Sequence, residues 1–200
     1  MNTATDHRRI LILQGHPDAT ERHLNHALAD AYAEGARRAG HELRRVDVAT
    51  LDFPLLRSKA GWDAGTLPTS LQPAQDAIGW AEHIVVLFPL WLGDMPALLK
   101  GFLEQVARPG FAIGAAQDGG MPAKLLRGRS ARVVVTMGMP AVLYRWYFRA
   151  HSVKSLERNI LGFSGIAPIR TTLVGSVDSL SATQRAQWMA RLEALGAEAS

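Results

Sequence analysis

Cysteine is absent from the 200 residues, so disulfides, thiolate metal sites and cysteine nucleophiles are excluded. Long apolar runs are missing too. The N-terminus, MNTATDHRR, is polar and leads into only four apolar residues, Ile10–Leu13. That is no secretory signal, and no run approaches the ~20 residues of a membrane-spanning helix. A cytoplasmic location without membrane insertion is the expectation. Nor is charge of one sign concentrated. The net charge is +4, and the basic pairs Arg8-Arg9, Arg37-Arg38 and Arg44-Arg45 are scattered among acids, which argues against nucleic-acid binding. Three motifs are also lacking. Without G-x-G-x-x-G after the first strand there is no dinucleotide-binding fingerprint. Without G-x-x-x-x-G-K-[ST] or G-x-S-x-G there is no P-loop and no nucleophile elbow. A phospho-acceptor domain would want acids at the carboxyl ends of strands one and three, and strand three ends in Phe88-Pro89-Leu90-Trp91.

What is present is a soluble composition, 48% apolar and 20% charged. The length suits one domain burying ~70% of its unfolded surface. Residues 1–9 are expected to be a disordered or extended tail and residues 10–200 a single domain. Ile10–Leu13 reads as the first strand, followed by a polar turn and a helix with Leu24, Ala27, Leu28, Ala31 and Tyr32 on one face. Leu43–Val48 is a weaker strand, 49–70 a loop, and Leu71–Glu82 a helix. Ile84–Phe88 is a strand buried on both faces. An apolar loop follows, and then a helix with Asp94 as N-cap and Met95, Leu98, Leu99, Phe102, Leu103 and Val106 on one face. A Gly- and Pro-rich loop spans 109–130, Arg132–Thr136 is the fourth strand, and 137–151 is irregular and aromatic. A helix over Val153–Phe163, a fifth strand over Ile169–Val174 and a last helix with capping-box spacing at Ser181 and Gln184 complete the chain. Strand–helix alternation makes this an α/β chain. The expected architecture is a flavodoxin-like five-stranded parallel sheet, order 2-1-3-4-5, with helices on both faces.

Ligands in such sheets bind outside the carboxyl ends of the strands. Two loops there attract attention. After the first strand, Gly15-His16-Pro17 and the following helix N-terminus offer a phosphate seat, with His16, Thr20, His23 and Asn25 as added donors, unless they are simply a solvated turn. His16, His23 and His26 lack a supporting carboxylate pattern, so no metal site is expected. After the third strand, Pro89-Leu90-Trp91-Leu92-Gly93 offers either an apolar wall for a flat heteroaromatic ring or a core-packing loop. Tyr144 and His151 can give such a ring a hydroxyl and an imidazole, or the aromatic residues around them can pack beneath a subunit interface.

Three segments carry a likeness to a known family. They are FPLWLGDMPALLKGFLEQVARPGFAI (Phe88–Ile113), GHPDATERHLNHAL (Gly15–Leu28) and LGFSGI (Leu161–Ile166). In them the chain resembles the flavodoxin-like NAD(P)H:quinone oxidoreductases of the DT-diaphorase type, with the bacterial quinone reductases and potassium-efflux ancillary subunits of that group. The resemblance implies a non-covalent flavin, FAD with FMN as the alternative, and NADH or NADPH as electron donor. It implies ping-pong, two-electron reduction of a quinone-like acceptor. The alternative it leaves open is a flavin-binding ancillary subunit of a membrane transport system with incidental reductase activity.

By position, His16, His23, Leu24 and Asn25 would meet the flavin's phosphates and ribityl chain. Pro89, Leu90, Trp91, Leu92 and Gly93 would line its ring, and Thr136, Met137, Gly138 and Met139 would hold its other edge. Tyr144 and His151 would be the catalytic pair that handles charge at the reduced ring. Trp91, Phe111, Tyr144 and Trp146 would wall the substrate pocket. A homodimer is also implied, with Phe111, Trp146, Tyr147 and Phe148 outside regular elements near the subunit interface. The chain departs from the family at Trp91-Leu92 and at Thr136-Met137-Gly138-Met139-Pro140.

Overall fold

The computed structural model describes residues 7–114 and 121–200. Residues 1–6 of the expected tail and 115–120 of the expected long loop lie outside the described residues. Five parallel strands form one sheet in the order β2-β1-β3-β4-β5, as the strand–helix alternation predicts. The strands are β1 (Arg9–Gln14), β2 (Glu42–Asp47), β3 (His83–Pro89), β4 (Ser130–Thr136) and β5 (Ile169–Val174). β3 is buried along its whole length, which explains its unbroken apolar sequence. β2 lies at one edge and is mostly exposed or half-buried. No helix of the described residues is long and apolar enough to cross a membrane.

The period of two in each strand sorts its side chains into two separate cores. Leu11, Leu13, Ile84, Val86, Phe88, Val133 and Val135 face one side. There they meet Ala74 and Ile78 of α3 (Gln72–Trp80) and Leu99, Phe102 and Leu103 of α4 (Ala97–Val106). Ile10, Ile12, Val85, Leu87, Val134 and Val174 face the other. They meet Leu28 and Tyr32 of α1 (Leu24–Arg38) and Leu192 of α7 (Ala182–Ala197).

α1 and α7 approach so closely that a Cβ on Gly35 would lie 1.8 Å from the Glu193 carbonyl oxygen, and one on Gly196 2.1 Å from that of Tyr32. Alanine improves helix propensity by about 1 kcal/mol over glycine, but overpacking against backbone costs about 1–3 kcal/mol. Because the obstacle is main chain, the second effect wins. Gly35→Ala is expected to lower stability by on the order of 1–2 kcal/mol, read as an earlier urea midpoint at unchanged slope.

Several local expectations are corrected. The loop 49–70 contains a short helix, α2 (Lys59–Ala64), capped by Ser58 Oγ accepting from the Gly61 N–H at 3.0 Å. The segment 137–151 contains α5 (Ala141–Trp146), not an irregular coil. The helix expected over Val153–Phe163 begins at His151. This element, α6, is α-helical over His151–Ser155, π-helical over Leu156–Leu161, and closes with an α turn at Gly162–Ser164. Asp94 is not the N-cap of α4, because Pro96 holds that position. The Asp94 main chain is committed to a turn instead: Trp91 N–H donates to Asp94 O at 2.8 Å and Asp94 N–H to Trp91 O at 2.9 Å. Leu92 and Gly93 adopt φ of 47° and 82°, the double positive-φ pattern of a type I′ turn, and Gly93 suits it because it carries no Cβ.

Candidate functional site

A cleft of about 570 Å³ opens at the carboxyl ends of β1, β3 and β4. Its first wall is the turn after β1 and the start of α1. His16 is buried, and its main-chain N–H donates to Gln14 Oε1 at 3.0 Å. Gln14 Nε2 in turn donates to the Asn25 carbonyl at 3.3 Å. Asp18 N–H donates to His16 Nδ1 at 3.2 Å, which leaves the ring proton of a neutral His16 on Nε2.

Three imidazoles gather here. The His16 ring lies 4.2 Å from that of His23 and 4.8 Å from that of His26, centroid to centroid. Burial first, then repulsion from His23 and His26, lowers the His16 pKa to about 4. Burial and His23 lower that of His26 as well. Asp18 takes hydrogen bonds from the Thr20 N–H and Oγ1, both at 2.7 Å, and pairs with His23 Nε2 at 2.8 Å. These bonds, those from Thr20 foremost, hold its carboxyl well below the usual carboxylate range. Asp18, Glu21 and His23 also bring possible metal-ligand atoms within 4.8 Å of one another. The Asp18 oxygens and His23 Nε2 are already hydrogen-bonded within the turn, so the group satisfies itself.

The second wall is apolar: Pro89, Leu90 and Trp91. Leu90 N–H donates to the Thr136 carbonyl at 2.8 Å, tying this loop to the end of β4. The indole of Trp91 meets His16 edge-on at 6.0 Å. Thr136, Met137 and Gly138 form the third side. Asn25 joins floor to wall: it is buried, and its Nδ2 donates to Thr136 Oγ1 at 3.2 Å. Its Oδ1 is buried without a hydrogen-bond partner. A buried acceptor without a partner, on a residue that lines the cleft, is a place where a ligand hydroxyl would fit.

The structure therefore brings His16, His23, Leu24, Asn25, Pro89, Leu90, Trp91, Thr136, Met137 and Gly138 to one cleft. The other sequence-expected residues stand elsewhere. Leu92 is fully exposed at the tip of the type I′ turn, Gly93 is beside it, and Met139 packs against the core. Phe111 packs towards Gly79, at the amino end of β3 and so at the far end of the sheet. Trp146 is 76% exposed and His151 is exposed, and neither lines the cleft.

Tyr144 is turned into the core by α5, and its hydroxyl pairs with Ser152 Oγ at 2.7 Å. The expected catalytic pair is thus not brought to the cleft. Tyr144→Phe is expected to act on stability, costing about 0.5–1.5 kcal/mol in urea unfolding for the lost hydrogen bond.

Asp18, Arg22, Val177, Asp178 and Arg185 also line the cleft, beyond the residues that the sequence nominates. Asp18 and Arg22 sit in the turn already singled out. Val177 and Asp178 follow β5, where the carboxyl-end rule points. Arg185 has no local signal: it arrives on the first turns of α7, held by the Val177 and Leu180 carbonyls, each at 3.2 Å. A Cβ on Gly138 would lie 3.0 Å from Asp178 Oδ2, which places this glycine against the Asp178 carboxylate.

The sequence model of the family described as flavodoxin-like fold matches residues 8–196. A protein of Haemophilus influenzae named an uncharacterized NAD(P)H oxidoreductase is 26% identical over 171 residues, 84% of this chain and 83% of its own. A Ruegeria pomeroyi protein named an FMN-dependent NADH:quinone oxidoreductase is 28% identical over 130 residues, 58% of this chain and 63% of its own. Among solved structures, an NAD(P)H:quinone oxidoreductase from Methanothermobacter marburgensis superposes with a TM-score of 0.79 at 22% identity. The alignment covers 96% of both chains, a likeness of fold.

Proposed function

Because the chain belongs to the flavodoxin-like fold family, we propose that it is an NAD(P)H-dependent oxidoreductase holding a flavin in this cleft and reducing quinones or related acceptors. One observation carries the reading: an apolar wall, Pro89-Leu90-Trp91, faces a polar floor in which the buried Asn25 Oδ1 lacks a partner. That donor and acceptor set suits a molecule with a flat ring at one end and hydroxyls and phosphate at the other. The flavin supplies the redox chemistry, accepting two electrons as hydride from the nicotinamide and passing them to the acceptor.

The protein's part is binding and orientation. Asn25 would hold the ribityl chain, its Oδ1 free to accept from a hydroxyl. His16 offers Nε2–H as a donor that stays neutral near pH 7, since burial keeps its pKa near 4. Arg22, which pairs with Asp30, and Arg185 are the cleft's two guanidiniums, set beside the carboxylates of Asp18 and Asp178, and would be the groups to meet a phosphate. Leu90 and Trp91 shield one ring face from water, and Thr136 fixes the floor through Asn25. FMN is the form we propose over FAD, supported by the Ruegeria relative's name. Neither the relatives nor the cleft favours the ancillary-subunit alternative. A homodimer fits the exposed group Val142, Leu143, Trp146, Tyr147 and Phe148, since such apolar patches usually mark interfaces.

The experiment is chromatography of the flavin released from purified protein by heat, with NADH or NADPH oxidation followed in the presence of a quinone. The expected result is FMN and quinone-dependent turnover. A protein that takes up neither FMN nor FAD on titration would overturn the reading, and release of FAD alone would overturn the choice of FMN. Light scattering is expected to give twice the chain mass at micromolar concentration.

A further inference from the structure

At the amino ends of the strands lies a second set of chemistry that the cleft does not use. A cavity of about 380 Å³ is lined by Arg8, His83, Ser130, Arg170 and Glu198, among others. A neighbouring one of about 340 Å³ shares Arg8, Ser130 and Pro168 with it and adds Arg129. The strand register explains the convergence: His83 pairs with Ser130, and Ala131 with Ile169, so the openings of β3, β4 and β5 stand level. Seven residues of β3 at ~3.3 Å each put this end roughly 20 Å from the cleft.

The charges here are poorly balanced. Arg9 already pairs with Glu82 at 3.3 Å. Arg132 donates to Thr172 Oγ1 at 2.8 Å and to the Ser200 main-chain oxygen. Arg129 donates to the Ile78 and Gly79 carbonyls. Arg8 and Arg170 have no ion-pair partner among the described residues. Glu198 is the carboxylate on the wall of the larger cavity.

Beneath them His83 is 2% exposed. Its Nδ1 pairs with Ser130 Oγ at 2.7 Å, and its Nε2 is buried without a partner. Burial, then the guanidiniums of Arg132, Arg8 and Arg170, lowers its pKa to about 3. Arg132 is already bonded to Thr172 and Ser200, whereas Arg8 and Arg170 border the cavity above the neutral imidazole, where an anion has two guanidiniums to meet. Guanidinium forks match phosphate oxygens two at a time, and a cavity of this volume admits a small molecule.

We propose that this pocket, formed by Arg8, Ser130 and Arg170 over His83, is a second ligand site that binds the phosphate group of a small phosphorylated molecule. It stands at the opposite end of the sheet from the cleft, so its occupancy is independent of a flavin.

The test is a titration of the protein with inorganic pyrophosphate, followed by backbone amide NMR. The expected result is saturable shifts at Ser130, Ala131 and Arg170. The double variant Arg8→Ala/Arg170→Ala should weaken binding about tenfold or more, because two charge-assisted contacts are lost. Arg22→Ala, in the cleft, should leave this binding unchanged. Repeating the titration with FMN present separates the two sites, since shifts at Ser130 should persist. Absence of shifts at the strand openings, shifts confined to His16 and Asn25, or wild-type affinity in the double variant would each overturn the proposal.

Discussion

Asn25→Leu is expected to leave the protein folded while weakening FMN binding by roughly tenfold to a hundredfold. The side chain is buried, Nδ2 donates to Thr136 Oγ1, and Oδ1 has no partner. A buried acceptor left unpaired costs about 1–3 kcal/mol, and a ligand hydroxyl that fills the place recovers that amount on binding. Leucine has similar volume and removes both the cost and its recovery, so the loss falls on affinity rather than on the apo fold. The Thr136 bond is lost as well, but an unsatisfied oxygen is lost with it, which keeps the expected change in apo stability within about 1 kcal/mol. Fluorescence titration with FMN, beside urea unfolding of the apo protein, separates the two effects. Wild-type affinity in a folded Asn25→Leu protein would mean that Oδ1 meets no ligand group, and the assignment of the cleft floor would fail.

The second large effect is on acid stability, and its source is His83. Its pKa in the folded protein is about 3, below the unfolded value of 6.5. Between these values the unfolded chain takes up a proton that the folded chain refuses. The stabilisation is therefore complete above pH 6.5 and is lost as pH falls. Each pH unit in this window costs about 1.36 kcal/mol, so acidification from pH 6.5 to 4 is expected to remove on the order of 3 kcal/mol through His83 alone. His16 and His26, also lowered, act in the same direction. Carboxylates such as Glu82, whose folded pKa is lowered by hydrogen bonds from Arg9, lose their contribution only below about pH 4.5, so the window isolates the histidines. Urea unfolding at pH 7, 6 and 5 measures the slope. His83→Asn, which keeps an amide for Ser130, is expected to flatten it, and an unchanged slope would show that His83 charges readily in the folded state.

The sequence exposed the sheet because burial on both faces leaves an unbroken apolar record, as in Ile84–Phe88. It exposed α1 and α4 because each buries one regular stripe. α2 and α5 left no such record: α2 buries nothing, and α5 buries only Tyr144. The cleft was legible where it lies on the loops that follow β1 and β3, since carboxyl-end position nominates His16, Asn25 and Trp91, and the family resemblance adds Thr136 at the end of β4. It was not legible at Arg185, which reaches the cleft only because α7 docks on α1. Tyr144 and Phe111 do not line the cleft. An aromatic residue in a segment without periodicity looks available to a ligand, yet one is turned towards Ser152 and the other towards Gly79.

The edge strand β2 bears on how copies of this chain meet. Glu42, Arg44 and Arg45 stand along it, Arg45 paired with Asp47 and Asp30, and the Arg44 guanidinium lies 4.3 Å over the Trp80 ring. A flat apolar edge would invite a neighbour's strand and open-ended growth, whereas a fence of fixed charges denies it a template. A pair closed through the exposed Val142, Leu143, Trp146, Tyr147 and Phe148, as proposed above, would be a finite two-fold particle rather than a filament.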